Sequence, residues 1–396
     1  MNRLLWYGDA PTAATGFGTV SRNVLAAFHA TGNWDITVRG VNFFGTLHQF
    51  PYRIMPAGTP DNEPQGVRAF LRDIASEPFD LVIINNDFQV VNPLAVELKN
   101  LLPQLKHHPK LIYYYPVDLE VPAGFTDLIR FVDQPVAYSR FGEAETIATI
   151  PGLPLAVIPH GSETNQRISE QDRQTLREQA FGIGPDTFLW MMVNRNNVRK
   201  DIPRTIEAFR AFHSFQPDSK LYLHCQPIDQ GGNMEAAANE LGLKDSVAFP
   251  GNFMVSNGGM PRDMLMQVYQ LADGFITTHL GEGWGLTVTE AMAAGLPVVA
   301  PYNTTMPEIL GAEYPYLYPM SDLVRKDDSG FRPRGSVRDI FLAMKKLYLS
   351  QKEGLGHPEH QKLPTWPDVG TMWLQLAGAV LARPRVVPVQ SVSETV

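Results

Sequence analysis

The stretch Gly281-Glu282-Gly283-Trp284-Gly285-Leu286-Thr287-Val288-Thr289-Glu290-Ala291-Met292-Ala293-Ala294-Gly295-Leu296-Pro297-Val298-Val299-Ala300 constrains the fold more than any other part of the chain. It reads as loop, helix, turn and strand. The glycines at 281, 283 and 285 let the backbone approach a ligand and adopt angles that other residues resist. A helix opening near Leu286 or Thr287 presents first-turn N–H groups that have no internal partner, which suits a phosphate. Gly295 fits the position just past the helix, and Pro297 cannot continue it. Residues 298–300 then read as a short buried strand. Glu282 lies in the loop and Glu290 about one turn into the helix, so two carboxylates bracket the phosphate site.

Around this unit, short apolar runs alternate with amphipathic stretches. Residues 3–7 read as a buried strand, 8–18 as a polar loop with three glycines, and 19–30 as a helix with Val20, Val24, Leu25 and Phe28 on one face. That order suits an open parallel sheet, where ligands bind beyond the strand ends. The glycines do not follow G-x-G-x-x-G, so a dinucleotide site is not indicated. Further strands are expected over 36–41, 80–85, 111–115 and 135–138, with helices over 67–74, 93–105 and 125–131. Residues 44–64 read as an irregular connection of a length that is often functional. A polar segment over 162–187 carries the domain boundary. Beyond it, strands are expected over 188–193, 220–225, 247–250 and 274–278, and helices over 170–180, 202–212, 234–241, 261–271 and 336–349. Residues 323–335 read as a charged surface loop, 366–381 as a last amphipathic helix, and 383–396 as an extended tail. The expected architecture is α/β, two doubly wound Rossmann-like domains. The first spans 1–165 with a returning segment 366–396, and the second spans 166–365.

A chain of 396 residues, 44% hydrophobic and 19% charged, is long enough for two proper cores. A net charge of −8 argues against a dedicated polyanion binder while leaving a local basic groove open. The single Cys225 excludes an internal disulfide or a thiolate metal cluster, and its expected state is that of a buried small apolar residue. No run of about 18 apolar residues is present to span a membrane. Residues 1–7 are interrupted too soon by Gly8-Asp9 for a signal peptide, so a cytoplasmic protein is expected. Arg195, Arg199 and Lys200 crowd one loop beside a helix start and repel one another unless paired, a conflict that an anionic ligand resolves.

Glu282 and Glu290 form an E-x7-E pattern. Together with the flanking GEGWGL and EAMAAGLPVVAP it resembles the retaining glycosyltransferases of GT-B fold, especially those of family 4. The resemblance implies two domains facing across a cleft, with a nucleotide-sugar donor mainly on the second and the acceptor mainly on the first. It gives Glu290 the donor ribose hydroxyls and puts Glu282 near the donor sugar. Gly283, Trp284, Gly285, Leu286 and Thr287 line the donor site. It makes Arg195 and Lys200 the clamp on the donor diphosphate and leaves Arg199 without a role. In the first domain it sets Gly16-Phe17-Gly18 against the diphosphate and acceptor. It makes Asp118, past a strand end, a catalytic carboxylate, and it brings His160, in a "PHG" sequence, to the donor. The nucleobase is expected near 226–233 and near Gly251 and Asn252.

The pattern works without a metal, and Asp327-Asp328 reads as a solvated pair. No cofactor is implied beyond a UDP- or GDP-linked sugar as co-substrate. The implied outcome is front-face transfer with retention. Other readings are a nucleotide-sugar epimerase, a non-catalytic nucleotide-sugar binder, and a virus-type enzyme that glycosylates hydroxymethylated bases in DNA. The acceptor, whether sugar, lipid, protein or modified DNA base, and the oligomeric state are not specified by these residues.

Overall fold

The computed structural model describes residues 1–59, 62–163, 167–251, 260–326, 330–356, 358 and 360–384, with the side chains of 325, 326 and 330 excepted. Asn252, the pair Asp327-Asp328 and most of the expected tail, 385–396, lie outside the described residues. The chain divides into two compact units, Met1–Gly161 with Pro364–Val396, and Ser162–Leu363.

Unit one is built on strands β1 (Asn2–Asp9), β2 (Trp34–Val41), β3 (Arg53–Pro56), β4 (Leu81–Asn85), β5 (Lys110–Tyr115), β6 (Gln134–Ala137) and β7 (Ala156–Val157). Among the described residues they form one seven-stranded parallel sheet in the order β3-β2-β1-β4-β5-β6-β7. The chain builds outward from β1 to β3, then returns to lay β4 beside β1, so the topological switch lies between those two strands. The central strands are covered on both faces. Leu4, Leu5, Trp6 and Tyr7 are fully buried, as are Leu81, Val82, Ile83 and Ile84. This is why they read as continuous apolar runs rather than alternating ones. Burying each such side chain stabilises the unit by roughly 1.5–3 kcal/mol.

The helix Trp366–Ala382 belongs to unit one. A capping box between Thr365 and Asp368 starts it. It packs on the helix Gly16–Ala30 so closely that a Cβ on Gly370 would lie 2.5 Å from the Ala27 Cβ.

In unit two the main strands are β8 (Phe188–Val193), β9 (Ser219–His224), β12 (Val247–Ala248), β13 (Gly274–Ile276), β14 (Val298–Pro301) and β15 (Leu317–Tyr318). Among the described residues they form a six-stranded parallel sheet, β12-β9-β8-β13-β14-β15, whose switch lies between β8 and β13. Two small hairpins complete the unit: β10 (Ile228–Asp229) with β11 (Gly232–Asn233), and β16 (Asp322–Lys326) with β17 (Gly330–Arg334).

Four local expectations are corrected. The first helix opens at Gly16, not Thr19, because Thr15 acts as its N-cap and accepts from the Gly18 N–H at 2.9 Å. Gly16 and Gly18 therefore lie in a helical first turn rather than in a loop. The connection over 44–64 contains edge strand β3, which ends at Pro56, a residue tolerated at an edge. The polar loop over 226–233 contains the β10–β11 hairpin. The charged segment over 323–335 contains the β16–β17 hairpin, whose pairing supplies the backbone order that charge content alone does not reveal.

Candidate active site

Three loops meet at the C-terminal edge of the unit-two sheet, after β8, β13 and β14. The loop after β8 ends in the short 3-10 turn Val198–Lys200. Its Arg199 carbonyl accepts from the Leu280 N–H at 2.9 Å, joining it to the loop after β13. Side chains then close the contact. Lys200 Nζ donates to Glu282 Oε1, and Arg199 Nη1 donates to Glu282 Oε2 at 3.1 Å and to the Gly281 carbonyl at 2.5 Å. Glu282 is buried, with 7% of its surface exposed. Burial alone pushes its carboxyl up, but the Lys200 and Arg199 charges, with His279 nearby, outweigh that and hold it well below the usual carboxylate range. An ionised, buried acid is thus packed against two half-buried cations.

The loop after β14 holds the Glu282 backbone. The Glu282 N–H donates to Thr304 Oγ1 at 3.0 Å, the Thr305 hydroxyl donates to the Trp284 carbonyl at 2.6 Å, and Asn303 Nδ2 donates to the Leu280 carbonyl at 3.2 Å. Gly285 follows at φ +109°, a backbone angle that calls for glycine. Gly285 caps the helix Leu286–Ala293 without any side-chain hydrogen bond. Gly283, Trp284 and Gly285 are buried, whereas Leu286 and Thr287 in its first turn are half-buried.

Glu290 sits in a different network. Arg262 Nη1 donates to its Oε1 at 2.7 Å, and the Tyr269 hydroxyl donates to its Oε2 at 2.8 Å. Arg262 also donates to Glu163 Oε1 at 2.7 Å. Burial pushes the Glu290 carboxyl up, and Arg262 and Tyr269 offset only part of that. Both partners come from the helix Arg262–Leu271. Arg195 is exposed, and its Nε donates to Asp229 on β10 at 2.9 Å rather than to either glutamate.

The remaining expected residues lie in unit one. Asp118 is half-buried at a bend just past β5. His160 is enclosed by rings, 4.4 Å from Tyr138 and 5.9 Å from Trp366 between centroids, and burial holds its pKa down at about 3. Burial thus favours its neutral form.

The E-x7-E spacing does not reveal the partners of its two acids. Arg199, to which the resemblance gave no role, and Arg262, Tyr269 and the Asn303–Thr305 segment, which sequence reasoning missed, carry the polar contacts. The topological rule offered a signal for the last group, since residues just past β14 must border the same sheet edge. Arg262 and Tyr269 had none, because a helix stripe does not announce its target. Among the described residues no group of three or more His, Cys, Asp or Glu side chains is placed to hold a metal ion. Among them also no helix is long and apolar enough to cross a membrane.

The family model described as Glycosyl transferases group 1 matches residues 173–320, which contain the loops after β8, β13 and β14. The chain carries a group 1 glycosyltransferase domain. The group 1 segment is similar to mannosylfructose-phosphate synthase of Agrobacterium fabrum (strain C58 / ATCC 33970), 29% identical over 154 residues. That match covers 37% of this chain and 32% of the synthase, so the chain spans about a third of that relative's length. Among solved structures, sucrose-phosphate synthase from Thermosynechococcus elongatus superimposes with a TM-score of 0.66 at 18% identity, covering 96% of each chain. Anabaena Alr3699/HepE in complex with UDP-glucose gives 0.64 at 16% identity, again over 96% of each. The fold around the group 1 domain is that of the GT-B enzymes, with two parallel-sheet Rossmann-like domains.

Proposed function

We propose that this chain is a retaining glycosyltransferase that moves a sugar from a UDP- or GDP-linked donor to an acceptor hydroxyl. The observation that carries the reading is the buried Glu282 carboxylate, kept ionised by Lys200 and Arg199 at the switch point of the unit-two sheet. A donor diphosphate is an anion that can share these cations, while Glu282 stays charged to counter a developing oxocarbenium ion. With two cations available to neutralise the diphosphate, the transfer runs without a metal. Glu290, held by Arg262 and Tyr269, takes the ribose hydroxyls, and Arg195 turns from Asp229 to the phosphates when the donor binds. The half-buried helix start at Leu286 and Thr287 offers backbone N–H groups to the same phosphates.

Asp118 and the Gly16–Gly18 turn in unit one are assigned to the acceptor side. The solved HepE complex holds UDP-glucose, which supports a nucleotide sugar as the ligand class. The acceptor class is left to experiment. Thermal-shift measurement across UDP- and GDP-sugars should give one donor that raises Tm. Incubating that donor with candidate sugars, lipids, proteins and modified DNA should then release nucleoside diphosphate in one arm, with the donor's anomeric configuration kept in the product by NMR. A flat thermal shift across all donors, with no diphosphate released, sinks the proposal.

A further inference from the structure

Asp201 follows Lys200 directly and has φ +49°, a left-handed conformation that a non-glycine residue holds only when its surroundings enforce it. It is the N-cap of the helix Ile202–Phe215, yet its side chain makes no capping hydrogen bond. Pro203, in that helix's first turn, has no N–H to offer such a cap. The carboxylate instead takes both arms of one guanidinium. Arg334 Nε donates to its Oδ2 at 2.6 Å and Nη2 to its Oδ1 at 2.8 Å. Arg334 closes strand β17, so the hairpin reaches back across the sheet edge to hold this single turn.

The backbone of the turn is gripped as well. The Thr278 hydroxyl, just past β13, lies 2.9 Å from the Asp201 carbonyl and 3.3 Å from that of Lys200. Asp201 itself is buried, with 4% of its surface exposed. A bidentate pair of this kind fixes direction as well as charge.

We infer that Arg334 is a positioning residue for the donor site: through Asp201 it locks the left-handed turn that aims Lys200 at Glu282. This deepens the proposed function and rests on it, since it takes the ligand of Lys200 to be a nucleoside diphosphate. Without Arg334 the turn relaxes toward an ordinary backbone angle and the Lys200 ammonium loses its fixed direction.

The test is titration of UDP and of GDP into the full chain by calorimetry, for the unsubstituted protein and for Arg334→Ala, Arg334→Lys, Lys200→Ala and the double variant Lys200→Ala with Arg334→Ala. For whichever nucleotide binds, Arg334→Ala should weaken affinity roughly tenfold, the size of one misdirected phosphate contact. Arg334→Lys, which keeps the charge but not the fork, should recover only part of it. In the Lys200→Ala background, Arg334→Ala should cost no further affinity, whereas a purely structural role would lower affinity in both backgrounds. If Arg334→Ala does not fold, Arg334→Lys and Asp201→Asn carry the same comparison. Unchanged affinity in folded Arg334 variants, or an equal loss in both backgrounds, overturns the inference while leaving the proposed function standing. Failure of the unsubstituted protein to bind either nucleotide overturns both.

Discussion

Each sheet places a buried acid beside its switch, one at the end of β1 and one in the loop past β13, and the two are treated in opposite ways. In unit one, β1 ends in Asp9 at the switch beside β4, and among the described residues its side-chain partners are neutral. The Thr15 hydroxyl donates to its Oδ2, and Asn42 Nδ2 donates to its Oδ1 at 3.1 Å. Burial pushes its carboxyl up, and these two hydrogen bonds do not offset it. In unit two, Glu282 follows β13 at the corresponding switch and is just as buried, but Lys200 and Arg199 drive its carboxyl down. The difference lies in the partner, since hydroxyl and amide donors do not repay desolvation of a charge as cations do. Under the proposed function, the edge with two cations and an ionised acid is the one suited to the donor diphosphate.

Removing the acid from the charged edge should have the largest effect. Glu282→Ala leaves two half-buried cations together without their shared acid, which should lower stability. Donor turnover should fall roughly a hundredfold or more, the scale of losing a charge aimed at the reacting centre. Denaturant unfolding and a diphosphate-release assay check both. A variant as stable and as active as the parent would erase the contrast between the two edges.

A second effect extends the contrast to a histidine that unit one keeps neutral by burial. His160 has an ordinary value of 6.5, and burial holds it at about 3 in the folded chain. The unfolded chain therefore binds a proton first. Stability is fully present above pH 6.5 and is lost as pH falls toward 3, at up to roughly 1.4 kcal/mol per pH unit. His160→Phe keeps a ring between Tyr138 and Trp366 and removes that loss. Unfolding free energies from pH 7 to pH 4 should diverge in favour of the variant, and parallel curves would count against a neutral buried imidazole.

The acids themselves should titrate with opposite signs. Glu282, lowered in the fold, contributes stability above its ordinary value of 4.5 that is lost as pH falls below it. Asp9, raised in the fold above its ordinary 3.8, contributes stability below that value that is lost as pH rises through the folded pKa. Glu282→Gln should thus cost less stability as the solution is acidified, and Asp9→Asn less as it is made neutral. Stability profiles of both variants from pH 3 to pH 7 decide the matter, and slopes of the same sign would break the comparison.

How far these edges were legible in the sequence follows from what each kind of pattern encodes. Strands β1, β4, β5 and β8 were readable because strands covered on both faces must be apolar throughout. The start of the helix Leu286–Ala293 was readable because Gly285 and Gly295 punctuate it chemically. The E-x7-E spacing brought Glu282 and Glu290 to notice, and the crowding of Arg195, Arg199 and Lys200 identified the basic loop. Which cation meets which acid was not legible. Arg199 reaches Glu282 because of where the 3-10 turn Val198–Lys200 aims it, a matter of backbone angles rather than of composition, while Arg195, ahead of that turn, reaches Asp229. The β16–β17 hairpin was missed because its strands are charged and lie outside the main sheet, so no apolar run marks them. The start of the first helix was missed because glycines at its opening disguise a turn that Thr15 caps.

The smallest expected effect tests whether Glu290 belongs with the charged edge or merely near it. Its carboxyl is pushed up, as that of Asp9 is, although Arg262 touches it. One oxygen is held by that cation and the other by the neutral Tyr269 hydroxyl. Glu290 is thus intermediate between the two edges, and the hydroxyl is the part that can be removed without stripping charge. Tyr269→Phe deletes one hydrogen bond, worth about 1 kcal/mol, while the ring keeps its packing 5.8 Å from Phe275. If Glu290 binds donor ribose, KM for the donor should rise roughly fivefold with kcat little changed, because the lost orientation acts on binding rather than on the reacting centre. A fall in kcat at constant KM would instead move Glu290 to the side of Glu282, and no change in either would remove it from the donor site.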